Sequence, residues 1–167
     1  MDTSVWQQLT DLLTTECSVL RELVAAAERQ KQALLLRDQQ GVEAATKEQE
    51  ALLAELHRCE AERLALVAGG LAREGSAPHA VTLQALVEAA PEAKRARLAA
   101  LRDDARSLVR QLSTLTETNA QLLRQELAFI DLYMSILSPD AGIDAYHDPA
   151  RARRPAGGAP VAFDTRA

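Results

Sequence analysis

Apolar side chains recur every three or four residues from the start of the chain. Trp6, Leu9, Leu13, Cys17, Leu20, Val24, Ala27 and Leu34 keep this spacing, with Lys31 filling one slot. The eight steps span 28 residues, an average of 3.5. A repeat of 3.5 holds one seam of a helix against a partner helix over many turns, whereas a strand would need alternation. The first element is therefore expected to be a long helix over about residues 4–36, with Asp2, Thr3 or Ser4 available to cap it. Composition agrees. Of 167 residues, 32 are Ala and 26 Leu, while Val, Ile and Thr together supply 22. Strand-favouring residues are too few for an all-β or α/β domain. Five aromatics are also few for an enzyme core that must shape a pocket.

The pattern pauses at Arg37-Asp38-Gln39-Gln40-Gly41. Asp38 can cap a new helix and Gly41 weakens helix locally, but no proline forces a break. A turn between two helices and a kink within one both remain open here. A second helix is expected over 39–68, with a stripe of Val42, Ala45, Gln49, Leu52, Leu56, Cys59, Arg63 and Val67 that ends at Gly69-Gly70. Glu60, Glu62 and Arg63 read as a solvated, salt-bridged face. Three glycines, Ser76 and Pro78 make residues 69–80 a loop, and Thr82 to Glu88 has room for one or two helical turns. Pro91 suits the first turn of a third long helix, 91–137, with Glu92 near its positive end. Its seam is Leu98, Leu101, Ala105, Leu108, Leu112, Leu115, Asn119 and Leu122. Pro139 ends it. Residues 139–167 hold four prolines, three glycines and no apolar repeat, and read as a flexible, disordered tail.

The fold class expected is all-α: an elongated antiparallel three-helix bundle, coiled-coil-like, with a long C-terminal helix. Residues 1–138 form the helical domain and 139–167 the tail. At ~1.5 Å per residue the three helices measure roughly 50, 45 and 70 Å, so the last has apolar surface to spare.

Charge and motifs exclude several function classes. The net charge is −5, against the basic surface that a general nucleic-acid binder needs to displace counterions. No stretch approaches the ~18 apolar residues of a membrane span. The N-terminus lacks a basic n-region followed by an apolar one, so the chain is expected to stay in the cytoplasm. Cys17 and Cys59 lie on helical stripes and read as packing thiols. His57, His79 and His147 form no cluster with metal-ligand spacing. Phosphate-binding and nucleophile motifs are absent from the sequence, so neither enzymatic activity nor a cofactor is expected.

Three features remain. Lys94, Arg95, Arg97, Arg102, Arg106 and Arg110 make a basic cluster, read as pairing with the acidic first two helices or as a dock for an acidic partner. Asn119 in an apolar seam either bonds within the bundle or meets a partner. The end of the last helix is the strongest. Eleven of the sixteen residues from Leu122 to Leu137 are apolar, where one stripe needs about seven. Such a segment is buried on several sides, joins a second copy in a homodimer, or captures an apolar helix of another protein.

On these residues the chain resembles the FlgN family of flagellar type III export chaperones. The likeness rests on Glu16 and Leu20, Lys31 to Leu34, Asp38, the run Lys47 to Leu56, and Glu62-Arg63. It continues in Thr118-Asn119-Ala120-Gln121-Leu122-Leu123, the apolar helix end, Pro139 and Tyr146. The resemblance implies a cytoplasmic chaperone without enzymatic activity that binds hook-associated (hook–filament junction) proteins and delivers them for export. It assigns cargo binding to the C-terminal helix: here Leu115, Asn119, Leu122, Leu123, Leu127, Phe129, Ile130, Tyr133, Met134 and Leu137. It assigns contact with the cytoplasmic domain of the export gate to Tyr146, although His147-Asp148-Pro149 follow where the family often carries glycines. The export ATPase is a further candidate partner. A structural coiled-coil adaptor is the alternative reading of the same seams.

Overall fold

A computed structural model describes residues 3–71 and 82–137. Four α-helices account for nearly all of them: α1 Thr3–Leu36, α2 Gln39–Leu66, α3 Leu83–Ala89 and α4 Glu92–Leu137. The protein is all-α, as its composition and repeat dictate. The chain divides into two compact units, the first ending at Leu123 and the second beginning at Arg124.

The first unit is built around α1. Trp6, Leu9, Leu13, Cys17, Leu20 and Leu23 are almost fully buried. Burial is not confined to one stripe. Val19, Ala26 and Ala33 are buried on one side of that seam, and Ala33 faces the start of α2 near Gly41. Cys17 stands at the opposite edge of the seam, where its thiol donates to the Leu101 carbonyl of α4 at 3.6 Å. α1 is thus covered on two adjacent flanks by two helices. α2 runs antiparallel to it, with Gln30 on Thr46, Arg29 on Glu48 and Glu16 on Arg63. α4 runs parallel to it, with Gln7 on Lys94, Arg21 on Asp104 and Ala27 on Asn119. Leu98, Leu101, Ala105 and Leu108 enter the core from α4, and Leu86, Val87 and Ala90 from α3 and its end.

The interruption at 37–41 is a turn. The Asp38 amide donates to Ala33 O at 2.8 Å and the Arg37 amide to Leu34 O at 3.1 Å, closing α1 with the paired bonds of a Schellman cap. Arg37 takes the left-handed backbone conformation this requires, at φ 56°. Asp38 then caps α2, its carboxylate accepting from the Gly41 amide at 3.1 Å. Gly41 therefore has a packing reason. A Cβ there would collide with the Asp38 carboxylate and come within 3.0 Å of Ala33 Cβ. At an ordinary helix position Gly→Ala stabilises. Here Gly41→Ala is expected to cost about 1 kcal/mol, the usual worth of a cap, as a lower Tm in thermal unfolding followed by circular dichroism. A gain in Tm would mean that the cap tolerates the methyl.

Three local expectations need correction. Helical backbone does not stop at Gly69-Gly70 but passes through both as a π-turn, Val67–Leu71. Val67 there is 2% exposed, and its burial anchors the turn. Pro91 precedes α4 rather than occupying its first turn. Its carbonyl accepts from the Lys94 and Arg95 amides, and α4 begins at Glu92. Among the described residues, the basic residues of α4 that form ion pairs do so within α4. Arg95 bonds Glu92 and Arg102 bonds Asp103, both on α4, and the ion pair between α1 and α4 has reversed polarity, Arg21 with Asp104. Thr82 caps α3 by accepting from the Ala85 amide at 3.1 Å. The remainder of the expected 69–80 loop and the tail from 139 lie outside the described residues.

Candidate functional site

The apolar end of α4 forms the described part of the second unit. Leu127, Phe129, Ile130, Leu132, Tyr133, Met134, Ile136 and Leu137 are between 52% and 67% exposed. An exposed leucine alone is ordinary, but eight large apolar side chains within eleven residues make a contiguous patch of the kind that marks interaction surfaces. Phe129 and Tyr133, one turn apart, stack with centroids 6.5 Å apart and planes 17° from parallel.

The spacing gives this patch internal order. The heptad steps of Leu98 through Leu122 continue in sequence through Glu126, Phe129, Tyr133 and Ile136. A second seam, displaced by one residue, runs through Leu127, Ile130, Met134 and Leu137. One residue on a helix is about 100° of rotation, so the two seams lie side by side. Leu132 widens the first. Arg124, Asp131 and Ser135 form the polar strip on the opposite side, and Glu126, half-buried, stands at the start of the first seam.

In the first unit the other assigned positions behave differently. Leu123 is 40% exposed, while Leu115 and Leu122 are half-buried. Leu115 lines a shallow open groove with Val24 and Ala25 of α1. Asn119 takes the bundle reading rather than the place on the cargo face that the resemblance assigns: its side chain is 3% exposed. Its Nδ2 donates to Ala27 O and Gln30 Oε1, each at 2.9 Å. Gln30 passes the chain on, donating to Thr46 Oγ1 at 3.0 Å. One polar path thus links all three long helices across an apolar seam, where it sets their register. Asn119→Ala is expected to cost about 1–2 kcal/mol in chemical denaturation by stranding Gln30 and the Ala27 carbonyl, while leaving any binding at residues 127–137 intact. A binding defect at unchanged stability would return Asn119 to the interaction surface.

Sequence reading missed two things. Leu132 and Ile136, counted in the apolar segment but left out of the assigned cargo set, are as exposed as the assigned residues and belong to the patch. The second is a buried ion pair. Arg63 pairs with Glu60 at 4.0 Å, but not on a solvated face: its side chain is 11% exposed and its Nε donates to Glu16 Oε1 at 3.1 Å. Burial pushes the Glu16 carboxyl above its ordinary value of 4.5, and Arg63 offsets this only in part. The signal was present: Arg63 occupies a slot of the α2 apolar stripe.

Chemistry is sparse elsewhere. Cys17 and Cys59 are free and buried, and burial raises both thiols above their ordinary value, away from thiolate reactivity. Among the described residues no group of His, Cys, Asp and Glu could hold a metal ion, and no helix is long and apolar enough to cross a membrane. Tyr146, assigned to the export gate, lies outside the described residues.

A family model described as FlgN protein matches residues 1–154. Neither a curated protein nor a solved structure matches the chain.

Proposed function

Because the chain belongs to the FlgN family of flagellar export chaperones, we propose that it captures hook–filament junction proteins on the apolar end of α4 and presents them for export. The observation that carries this reading is the double seam of residues 127–137, more than half exposed along its length. Cargo capture would remove that surface from water, worth about 25 cal/mol per Å² before the costs of ordering the partner. Those costs keep such a contact reversible, as delivery requires. Met134 and the stacked aromatics suit a surface that accepts more than one apolar sequence. In this reading the cargo's apolar ends are masked from one another until release, the chain acts in the cytoplasm, and it performs no chemistry of its own.

Tyr146 is proposed to supply a second, weaker contact to the cytoplasmic domain of the export gate, with the export ATPase a further partner on the delivery route. One aromatic anchor gives a contact that exchanges readily.

Co-expression with hook–filament junction proteins tests the proposal. A soluble, stoichiometric complex by size exclusion with light scattering is the expected result. A dimer that forms at all concentrations and ignores the cargo would overturn it in favour of the structural coiled-coil adaptor.

A further inference from the structure

The geometry points to a partner that supplies two amphipathic helices side by side, one for each seam of residues 127–137, so that this stretch of α4 becomes the central helix of a three-helix layer. The inference rests on the chaperone reading above and specifies the shape of what is bound. Three observations carry it.

The first is the arc. With the seam of Phe129, Tyr133 and Ile136 beside that of Leu127, Ile130, Met134 and Leu137, apolar surface covers well over half of the helix circumference. A single packed helix covers one seam and leaves its neighbour in water. The strip of Arg124, Asp131 and Ser135 sets the upper limit, because a third covering helix would desolvate it.

The second is precedent within the chain. α1 is likewise buried beyond a single stripe, with Val19, Ala26 and Ala33 to one side of the seam and Cys17 at the seam's opposite edge. It receives two helices, α2 by way of Ala33 and Gly41 and α4 by way of Cys17 and Leu101. The same width of apolar arc recurs at 127–137, exposed.

The third is continuity and exclusion of other occupants. The first seam keeps the heptad phase that α4 already uses in the core of the first unit, where Leu98, Leu101, Ala105 and Leu108 pack. A helical partner therefore meets a register built for helices. A second copy of this chain would bring one equivalent helix through a two-fold contact and cover one seam.

The test uses the full chain co-purified with a hook–filament junction protein, read by amide hydrogen exchange of that protein. Two separate cargo segments should gain protection. Phe129→Ser with Tyr133→Ser should release one segment, and Ile130→Ser with Met134→Ser the other. Either pair should weaken overall affinity on the order of 100-fold, because each helix raises the effective concentration of its neighbour. All four side chains are exposed, so the variants should keep the helicity of the parent. One protected segment, both pairs releasing the same segment, or a pair without effect would overturn the two-helix inference and leave the chaperone reading standing. Absence of any complex with any such cargo would overturn both.

Discussion

Serine at Leu127, Phe129, Ile130 and Tyr133 together should weaken cargo binding about a thousandfold and leave the fold intact. Burying a large apolar side chain is worth about 1.5–3 kcal/mol when complete. These four begin 52–60% exposed, so at least half of that remains to be gained on binding. Their combined loss comes to about 4 kcal/mol, on the order of a thousandfold in Kd. None of the four belongs to the core of the first unit, so thermal unfolding should match that of the parent. Isothermal titration with purified cargo, beside a melting curve, separates the two effects. Binding within tenfold of the parent would remove this helix from the cargo site.

Arg63→Ala should be the most destabilising single change outside the apolar core. It strands the Glu16 carboxylate, 7% exposed, with its nearest cation gone. Breaking a buried pair in this way typically costs about 3 kcal/mol or more, here roughly 10 °C in Tm. The loss should depend on pH, and the sign follows from Glu16. Its carboxyl titrates above 4.5 in the folded chain because burial outweighs the attraction of Arg63. The folded chain therefore binds this proton more tightly than the unfolded chain does. The stability this confers is full below 4.5 and is lost as pH rises through the folded value. Removing Arg63 raises that value further and steepens the loss. Arg63→Ala should thus be most harmful at neutral pH and milder near pH 4, where Glu16 is protonated. Adding Glu16→Gln to Arg63→Ala should recover much of the neutral-pH deficit, as a double-mutant cycle would show. An equal deficit at pH 4 and pH 7 would mean that packing of the arginine stem, not its charge, is what α2 needs.

The pair also shows where sequence reading stopped. Arg63 falls in the α2 stripe and on a run of charged residues, and both readings were legible. Spacing alone cannot choose, because the choice depends on whether a carboxylate on another helix lies opposite. Glu16 is 47 residues away. Asn119 is the same case: a polar residue in a seam was visible, but its partners, Ala27 and Gln30, are 92 and 89 residues distant. By contrast, the caps were local. Asp38 with Gly41 and Thr82 with Ala85 are three residues apart, so the starts of α2 and α3 were open to reading from neighbours in sequence. The turn at Arg37 was not, because a non-glycine residue in the left-handed conformation carries no compositional mark.

The sequence by itself determined what is periodic and local: an all-α chain, helices close to their expected limits, and a C-terminal segment with more apolar residues than one stripe can use. The resemblance to the FlgN family rested on particular residues, Thr118 to Leu123 among them, and the family model matches residues 1–154. Tertiary structure alone decided which polar groups go inside, that 37–41 turns rather than kinks, and that the apolar residues of 127–137 are exposed while those of α1 are covered on two flanks. The physical reason is common to all three. Periodicity states which side of a helix is apolar, but burial depends on what another segment, distant in the chain, places against it.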